Sequence, residues 1–243
     1  MSKQVLHIGG SELSLSEPRI MGILNVTPDS FYAPSRVTTP ALAERARTMI
    51  RDGAAVLDIG GCSTRPGGPQ PELEEEWRRV EPALQILRRE LPEAILSLDT
   101  YRQEVARRAL EQYGPMIIND VTGGNEAMYQ LVRRHQVPYV LTKKQPSPEM
   151  EGIQLILDPG IGFLGSTEAD YEALRTIHEE ALPLLVGVSR KSLIWRTLDI
   201  TPDKALAPTQ ALHMYALTRG ADILRVHDVR EAAQTVKLYQ KLK

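Results

Sequence analysis

One cysteine, Cys62, is all the chain has, so no disulfide can form within it, which suits a reducing compartment. No run of about 18 apolar residues occurs, so no segment is expected to cross a membrane as a helix. Residues 1–20 lack the apolar stretch of roughly 7–15 residues that a secretory signal needs. No basic run interleaves with aromatics, and the formal net charge is only −2. That argues against nucleic acid and against a basic membrane patch, and an anionic ligand would have to be met by a local cluster of cations. There is no HExxH, no cysteine-rich spacing, no Ser-His-Asp ordering, and no i, i+4 pair among the five histidines; a tightly held transition metal is not expected. No GxGxxG follows the first apolar run and no GxxxxGK[ST] occurs, which removes the nucleotide loops of open α/β sheets. A soluble cytoplasmic protein is the expectation.

What the 243 residues do have is an ordinary globular composition, 42% hydrophobic and 25% charged, enough for a full core. After a short polar opening, eight brief apolar runs alternate with helical patterns: 20–24, 55–59, 95–98, 116–118, 139–141, 155–157, 184–188 and 223–226. Their near-continuous hydrophobicity reads as parallel strands buried on both faces. Leu73, Trp77, Val80, Leu84 and Leu87 share one face of a helix over 71–90. Pro40 opens a pattern of Leu42, Ala46, Met49 and Ile50 that Gly53 stops. Val105, Ala109 and Leu110 mark another helix; Leu212, Tyr215 and Ala216 mark one that Gly220 ends; Ala232, Ala233, Val236 and Tyr239 mark the last, over 229–242. The alternation predicts a closed (β/α)8 TIM barrel, one domain over 1–243, with an open doubly wound sheet as the rival. Only residues 142–152 separate the fifth and sixth strands, and they contain Pro146 and Pro148. The helix there is expected to be shortened or missing, leaving that flank thinly covered or covered by another subunit.

In a parallel barrel the chemistry gathers at the C-terminal strand ends. Those positions carry Asn25, Asp58, Asp99, Asn119, Thr142, Asp158, Ser189 and His227, all polar. A single aspartate after a strand is more often a cap or turn residue, so only the set as a whole points to a site. Asp99, Asn119 and Asp158 offer acceptors and an amide donor, which suits a flat heterocycle bearing an amide and an exocyclic amine. Lys191 could donate to a ring carbonyl or nitrogen, although alone it reads as a solvated surface lysine. Arg225 and His227 alternate in the last strand and so point the same way. An inward arginine needs an anion, and barrels commonly hold phosphate near strands seven and eight. Arginine offers a bidentate fork and histidine a further donor; the plainer alternative is a salt bridge from Arg225 to Asp58 or Asp228. A loosely held Mg2+ between an oxygen such as that of Asn25 and substrate phosphates stays open.

Several segments at these strand ends can be read together: MGILNVTPDSF at 21–31, DIGGCSTRPG at 58–67, SLDT at 97–100 with INDVTGG at 118–124, DPGIGF at 158–163, VGVSRKS at 186–192 and RVHDV at 225–229. In this order, over nearly the whole chain, they resemble the dihydropteroate synthase family. The resemblance implies a TIM barrel, usually a homodimer, that uses Mg2+ to join 6-hydroxymethyl-7,8-dihydropterin diphosphate to p-aminobenzoate in folate biosynthesis. It implies Asp99, Asn119, Asp158 and Lys191 around the pterin ring and Asn25 at the metal. Arg225, His227 and Thr64 would hold the diphosphate, and Ser192, Thr64, Arg65, Pro66 and Phe163 would form the p-aminobenzoate side. Asp99, Asp158, Lys191, Arg225 and His227 would then act on the charges of a loose transition state. The chain departs from the family pattern in places. Cys62 stands where an acid is usual, SFYAPSR at 30–36 replaces SFSDGG, and Leu141-Thr142-Lys143-Lys144 replaces a Met-His-Met segment. The lysine that usually follows DPGIGFG is absent. None of these touches the ring or diphosphate set, which favours an active enzyme of divergent type. A catalytically silent pterin-binding relative is the alternative. A methyltransferase on a similar barrel is a further one, to which the STRPG and SRKS segments would be foreign.

Overall fold

The structure, a computed structural model, describes residues 5–26, 39–62, 71–178 and 181–243. Two short strands, β1 (Val5–Ile8) and β2 (Ser11–Ser14), pair as an antiparallel hairpin. Eight parallel strands follow: β3 (Arg19–Asn25), β4 (Val56–Gly60), β5 (Leu96–Asp99), β6 (Ile117–Asp120), β7 (Tyr139–Thr142), β8 (Leu155–Asp158), β9 (Leu185–Val186) and β10 (Ile223–Val226). They lie in the order β8-β7-β6-β5-β4-β3-β10-β9. A parallel bridge from Leu157 to Leu184 joins the two edges, with the Leu157 N–H donating to the Pro183 carbonyl at 2.7 Å. The sheet therefore closes on itself, as the run spacing predicts, and the open-sheet rival falls.

Helices alternate with the strands: α1 (Thr39–Asp52), α2 (Leu73–Glu90), α3 (Gln103–Tyr113), α4 (Glu126–His135), α5 (Thr167–Thr176), α6 (Ser192–Thr197), α7 (Leu206–Thr218) and α8 (Val229–Leu242). Gly53, at φ +114, stops α1. Ile50, expected on the apolar face of that helix, is instead 39% exposed, while Leu42, Ala46 and Met49 are buried. The sequence patterns singled out neither α4 nor α5; both start at a side-chain cap, Asn125 accepting from Met128 N and Ser166 from Ala169 N. Between β7 and β8 only a single 3-10 turn, Pro148–Met150, takes the place of a helix. The last turn of α4 ties that turn down through Arg133, which donates to the carbonyls of Glu149 and Glu151. No helix among the described residues is long and apolar enough to cross a membrane.

The strands read as continuous apolar runs because each face buries into a different core. Leu24, Ile59, Leu98, Ile118, Leu141, Val186 and Leu224 pack outward with helix residues such as Leu84, Val105, Val132 and Ala232. The alternate residues Met21, Val56, Ile117, Val140, Ile156, Leu185 and Ile223 pack inward with Leu6, Ile8, Leu13 and Leu15. The hairpin thus plugs the N-terminal end of the barrel. It corrects the reading of the opening segment as merely polar; the i, i+2 spacing of Leu6 with Ile8 and of Leu13 with Leu15 was the available signal. Two residues further along the strands the interior turns polar, with Asp58, Ser97, Asn119, Thr142, Asp158 and Arg225. That change leaves the C-terminal half of the barrel as a polar well above an apolar floor.

Candidate active site

Asp58 organises the well. Its strand runs on to Gly60, so it lies inside β4 rather than at its end, and it is fully buried. It accepts from Ser97 Oγ at 2.6 Å, Asn119 Nδ2 at 3.2 Å and Arg225 Nε at 2.6 Å. A carboxylate out of water needs such a set of donors to stay charged. The second arm of Arg225, Nη2, reaches Asp99 Oδ2 at 2.6 Å. The salt bridge expected as the plain alternative therefore exists to Asp58, but it is forked to Asp99 as well. Asp228 is not a partner; it pairs with Arg190 at 2.8 Å. Burial opposes the charge of Arg225, yet Asp58, Asp99 and Asp158 more than offset this and raise its pKa.

Three acidic residues face this cation. Asp99 Oδ1 is buried with no hydrogen-bond partner among the described residues, as is Thr142 Oγ1. Burial pushes the Asp99 pKa up, Arg225 pulls it down, and the charges of Asp58 and Glu76 add to the upward push. Asp158 accepts from the Gly160 N–H at 2.8 Å, so its turn role and its place in the well coexist. Burial raises its pKa, against the pull of Lys191 and Arg225.

Lys191 is not the solvated lysine that it resembles when taken alone. Its ammonium donates to the Ile161 carbonyl and lies 4.6 Å from the centre of the Phe163 ring. Burial lowers its pKa to about 8, opposed by the Asp158 carboxylate and aided by Arg225. Two glycines show how tightly these groups converge. A Cβ on Gly187 would stand 3.6 Å from Lys191 Nζ and 3.7 Å from Arg225 Cβ. On Gly60 it would stand 3.4 Å from Asn25 Oδ1 and 3.6 Å from Asp99 Oδ2, which sets the Asn25 oxygen beside Asp99.

His227 opens to solvent at the rim, with Nδ1 3.0 Å from Ser189 Oγ. The surrounding protein and the positive charge of Arg225 hold its pKa down at about 4. Both effects favour its neutral form, which can still donate one hydrogen bond. Ser192 opens α6 directly after Lys191. Thr64, Arg65 and Pro66 lie outside the described residues. The structure thus brings Asn25, Asp99, Asn119, Asp158, Phe163, Lys191, Arg225 and His227 to one end of the barrel. Sequence reasoning gave Asp58 only the part of a possible salt-bridge partner for Arg225 and gave Ser97 and Ser189 no role; the three position Arg225, Asn119 and His227. Among the described residues no group of three or more His, Cys, Asp or Glu is arranged to hold a metal.

An acid-and-amide wall with a forked arginine at the C-terminal mouth of a (β/α)8 barrel defines a barrel enzyme with a polar, ligand-sized well. The family model described as pterin binding enzyme matches residues 21–154 and 149–227. A dihydropteroate synthase of Synechocystis is 37% identical, over 92% of this chain and 89% of that protein. The dihydropteroate synthase of Xanthomonas albilineans, solved with 4-aminobenzoic acid, superposes with a TM-score of 0.87 at 33% identity, covering 98% of each chain. Solved with 7,8-dihydropteroate, the same protein gives 0.84 at 33% identity, again over 98% of each chain. The chain belongs to the dihydropteroate synthase family.

Proposed function

We propose that the protein condenses 6-hydroxymethyl-7,8-dihydropterin diphosphate with p-aminobenzoate, giving 7,8-dihydropteroate and diphosphate. The observation that carries this is Arg225 held in one barrel mouth between Asp58 and Asp99, with Lys191 and Asp158 within reach of its charge. The orphaned oxygens Asp99 Oδ1 and Thr142 Oγ1 fit the N–H groups of a flat pterin ring, because a buried acceptor without a partner is costly. Asp99, Asn119, Asp158 and Lys191 take the ring. Arg225 keeps Nε on Asp58 and still has N–H groups to offer an anion, since a guanidinium carries five donors. His227 adds a neutral donor at the rim, and the family resemblance adds Thr64 to the diphosphate set. Phe163 and Ser192 stand on the p-aminobenzoate side, to which the family resemblance adds Thr64, Arg65 and Pro66.

In the reaction the bond from the pterin methylene carbon to the diphosphate oxygen breaks, and the arylamine nitrogen bonds to that carbon and loses a proton. Positive charge growing on the ring faces Asp99 and Asp158. Negative charge growing on diphosphate faces Arg225 and His227. Because these charges develop on the way to the transition state, the contacts act on the barrier and not merely on binding. The arylamine is itself a competent nucleophile, so no strong base is needed. Asn25 offers a hard oxygen beside Asp99, which fits Mg2+, an ion that takes one or two protein ligands and completes its shell with water and phosphate oxygens. When bound it would neutralise charge on the diphosphate.

We also infer a homodimer. Ala207, Ala211 and Tyr215 recur every four residues along the exposed side of α7, an apolar stripe that water does not favour. A cytoplasmic setting suits the single buried thiol, Cys62, whose pKa burial and Glu76 raise to about 12.

Purified protein with Mg2+ and both substrates is expected to release diphosphate and form dihydropteroate. Arg225→Ala should slow release by about 10²–10³ and weaken the diphosphate ester far more than a pterin lacking phosphate. Pterin binding without diphosphate release at any p-aminobenzoate concentration would replace this reading with that of a silent relative.

A further inference from the structure

Lys143 follows β7 in the left-handed region, at φ +58, a conformation that a residue with a Cβ seldom adopts without a compensating contact. Three contacts hold it there. Its N–H donates to the Asp158 carbonyl at 3.0 Å. Its side-chain stem crosses Gly160, itself at φ +73, so closely that a Cβ on that glycine would stand 2.3 Å from Lys143 Cγ. Its ammonium donates to the Phe163 carbonyl at 3.1 Å and lies 5.5 Å from the centre of that ring. Lys191 holds the same segment from the well, through the Ile161 carbonyl and the Phe163 ring. Lys144 turns the other way, crosses Gly123 and donates to the Gly124 carbonyl at 2.9 Å. With no helix between β7 and β8, two consecutive lysines brace the glycine loops on either side.

We propose that Lys143 is a positioning residue for the acceptor: it fixes the 160–163 segment, so that Phe163 presents its ring to p-aminobenzoate. This rests on the reading of Phe163 as part of the acceptor side. Lys143 does not need to touch the substrate to do this; it acts through the hydrogen bond that it gives, and its charge, which is also felt at Asp158, is kept in Lys143→Arg.

Steady-state kinetics of the full chain with Mg2+ test it. Lys143→Met keeps the stem across Gly160 but cannot donate, whereas Lys143→Arg can. For Lys143→Met we expect the KM for p-aminobenzoate to rise about five- to tenfold, the loss of one charge-assisted hydrogen bond, while kcat and the KM for the pterin diphosphate stay within about twofold. Lys143→Arg should return the acceptor KM to within about twofold of wild type, and Lys144→Ala, acting on the other loop, should leave it there. An unmoved acceptor KM in Lys143→Met sinks the proposal, as do equal shifts for both substrates or an equal effect of Lys144→Ala. In each of those cases an active wild type leaves the parent reading standing. A wild type that forms no product removes the parent reading, and this inference with it.

Discussion

Asp58 accepts from a serine, an asparagine and an arginine at once, with no access to solvent. Its carboxylate lets Arg225 sit buried in the well before any anion arrives, so a cation proposed to meet the leaving group is in place in advance. Beside Asp99, whose pKa burial raises to about 7, Lys191 is the site residue whose proton is open to ordinary buffer conditions. Burial has brought its pKa down to about 8, so the charged form that donates to a ring carbonyl is present below that pH and lost above it. The kcat/KM for the pterin diphosphate, which reports groups of the free protein, should therefore fall as pH rises through about 8. Lys191→Arg should carry the fall to higher pH, because a guanidinium stays charged. A profile flat to about pH 10 in the wild type would remove Lys191 from the ring-binding set. His227 adds no limb near neutrality, since its pKa of about 4 leaves it neutral there.

At the scale of elements, the hairpin β1–β2 and the β7–β8 connection are what separate this barrel from the alternating pattern of its sequence. The hairpin contributes Leu6 and Leu13, 1% and 5% exposed, to the floor of the barrel. Leu6→Ala or Leu13→Ala should cost about 2–5 kcal/mol in urea unfolding, because a buried leucine leaves both lost burial and a cavity. Neither should change substrate KM, since the plug closes the end away from the well. A loss below about 0.5 kcal/mol, as for a surface site, would mean that the hairpin is not part of the packed floor. α2 and α8 were legible almost to the residue because one face of each is apolar and the other charged. β9 was not: of the run 184–188 only Leu185–Val186 forms the strand, with Leu184 in a single bridge to Leu157, and Gly187, Val188 and Ser189 already belong to the loop that brings Lys191 into the well.

Among the described residues an apolar side of α7 is uncovered, with Tyr215 38% exposed, as are Leu238 and Leu242 near the end of α8. Sedimentation should give about twice the 27.1 kDa chain mass, and Tyr215→Glu, which sets a charge in an apolar contact, should shift it toward the single mass. A wild-type mass of one chain at micromolar concentration would discard the dimer. The sequence by itself determined the eight barrel strands, the barrel, the missing helix and the residue types that line its mouth, because period, run length and glycine placement are local properties that the chain carries wherever it folds. Only the tertiary structure decided that Arg225 is forked between Asp58 and Asp99, that His227 is neutral, that Leu6 and Leu13 close the floor, and that Lys143 reaches Phe163. Arg225 and Asp58 stand 167 positions apart in the chain. Which charges meet across such a distance, and how much water they keep, is set by strand register and packing, and no local pattern encodes it.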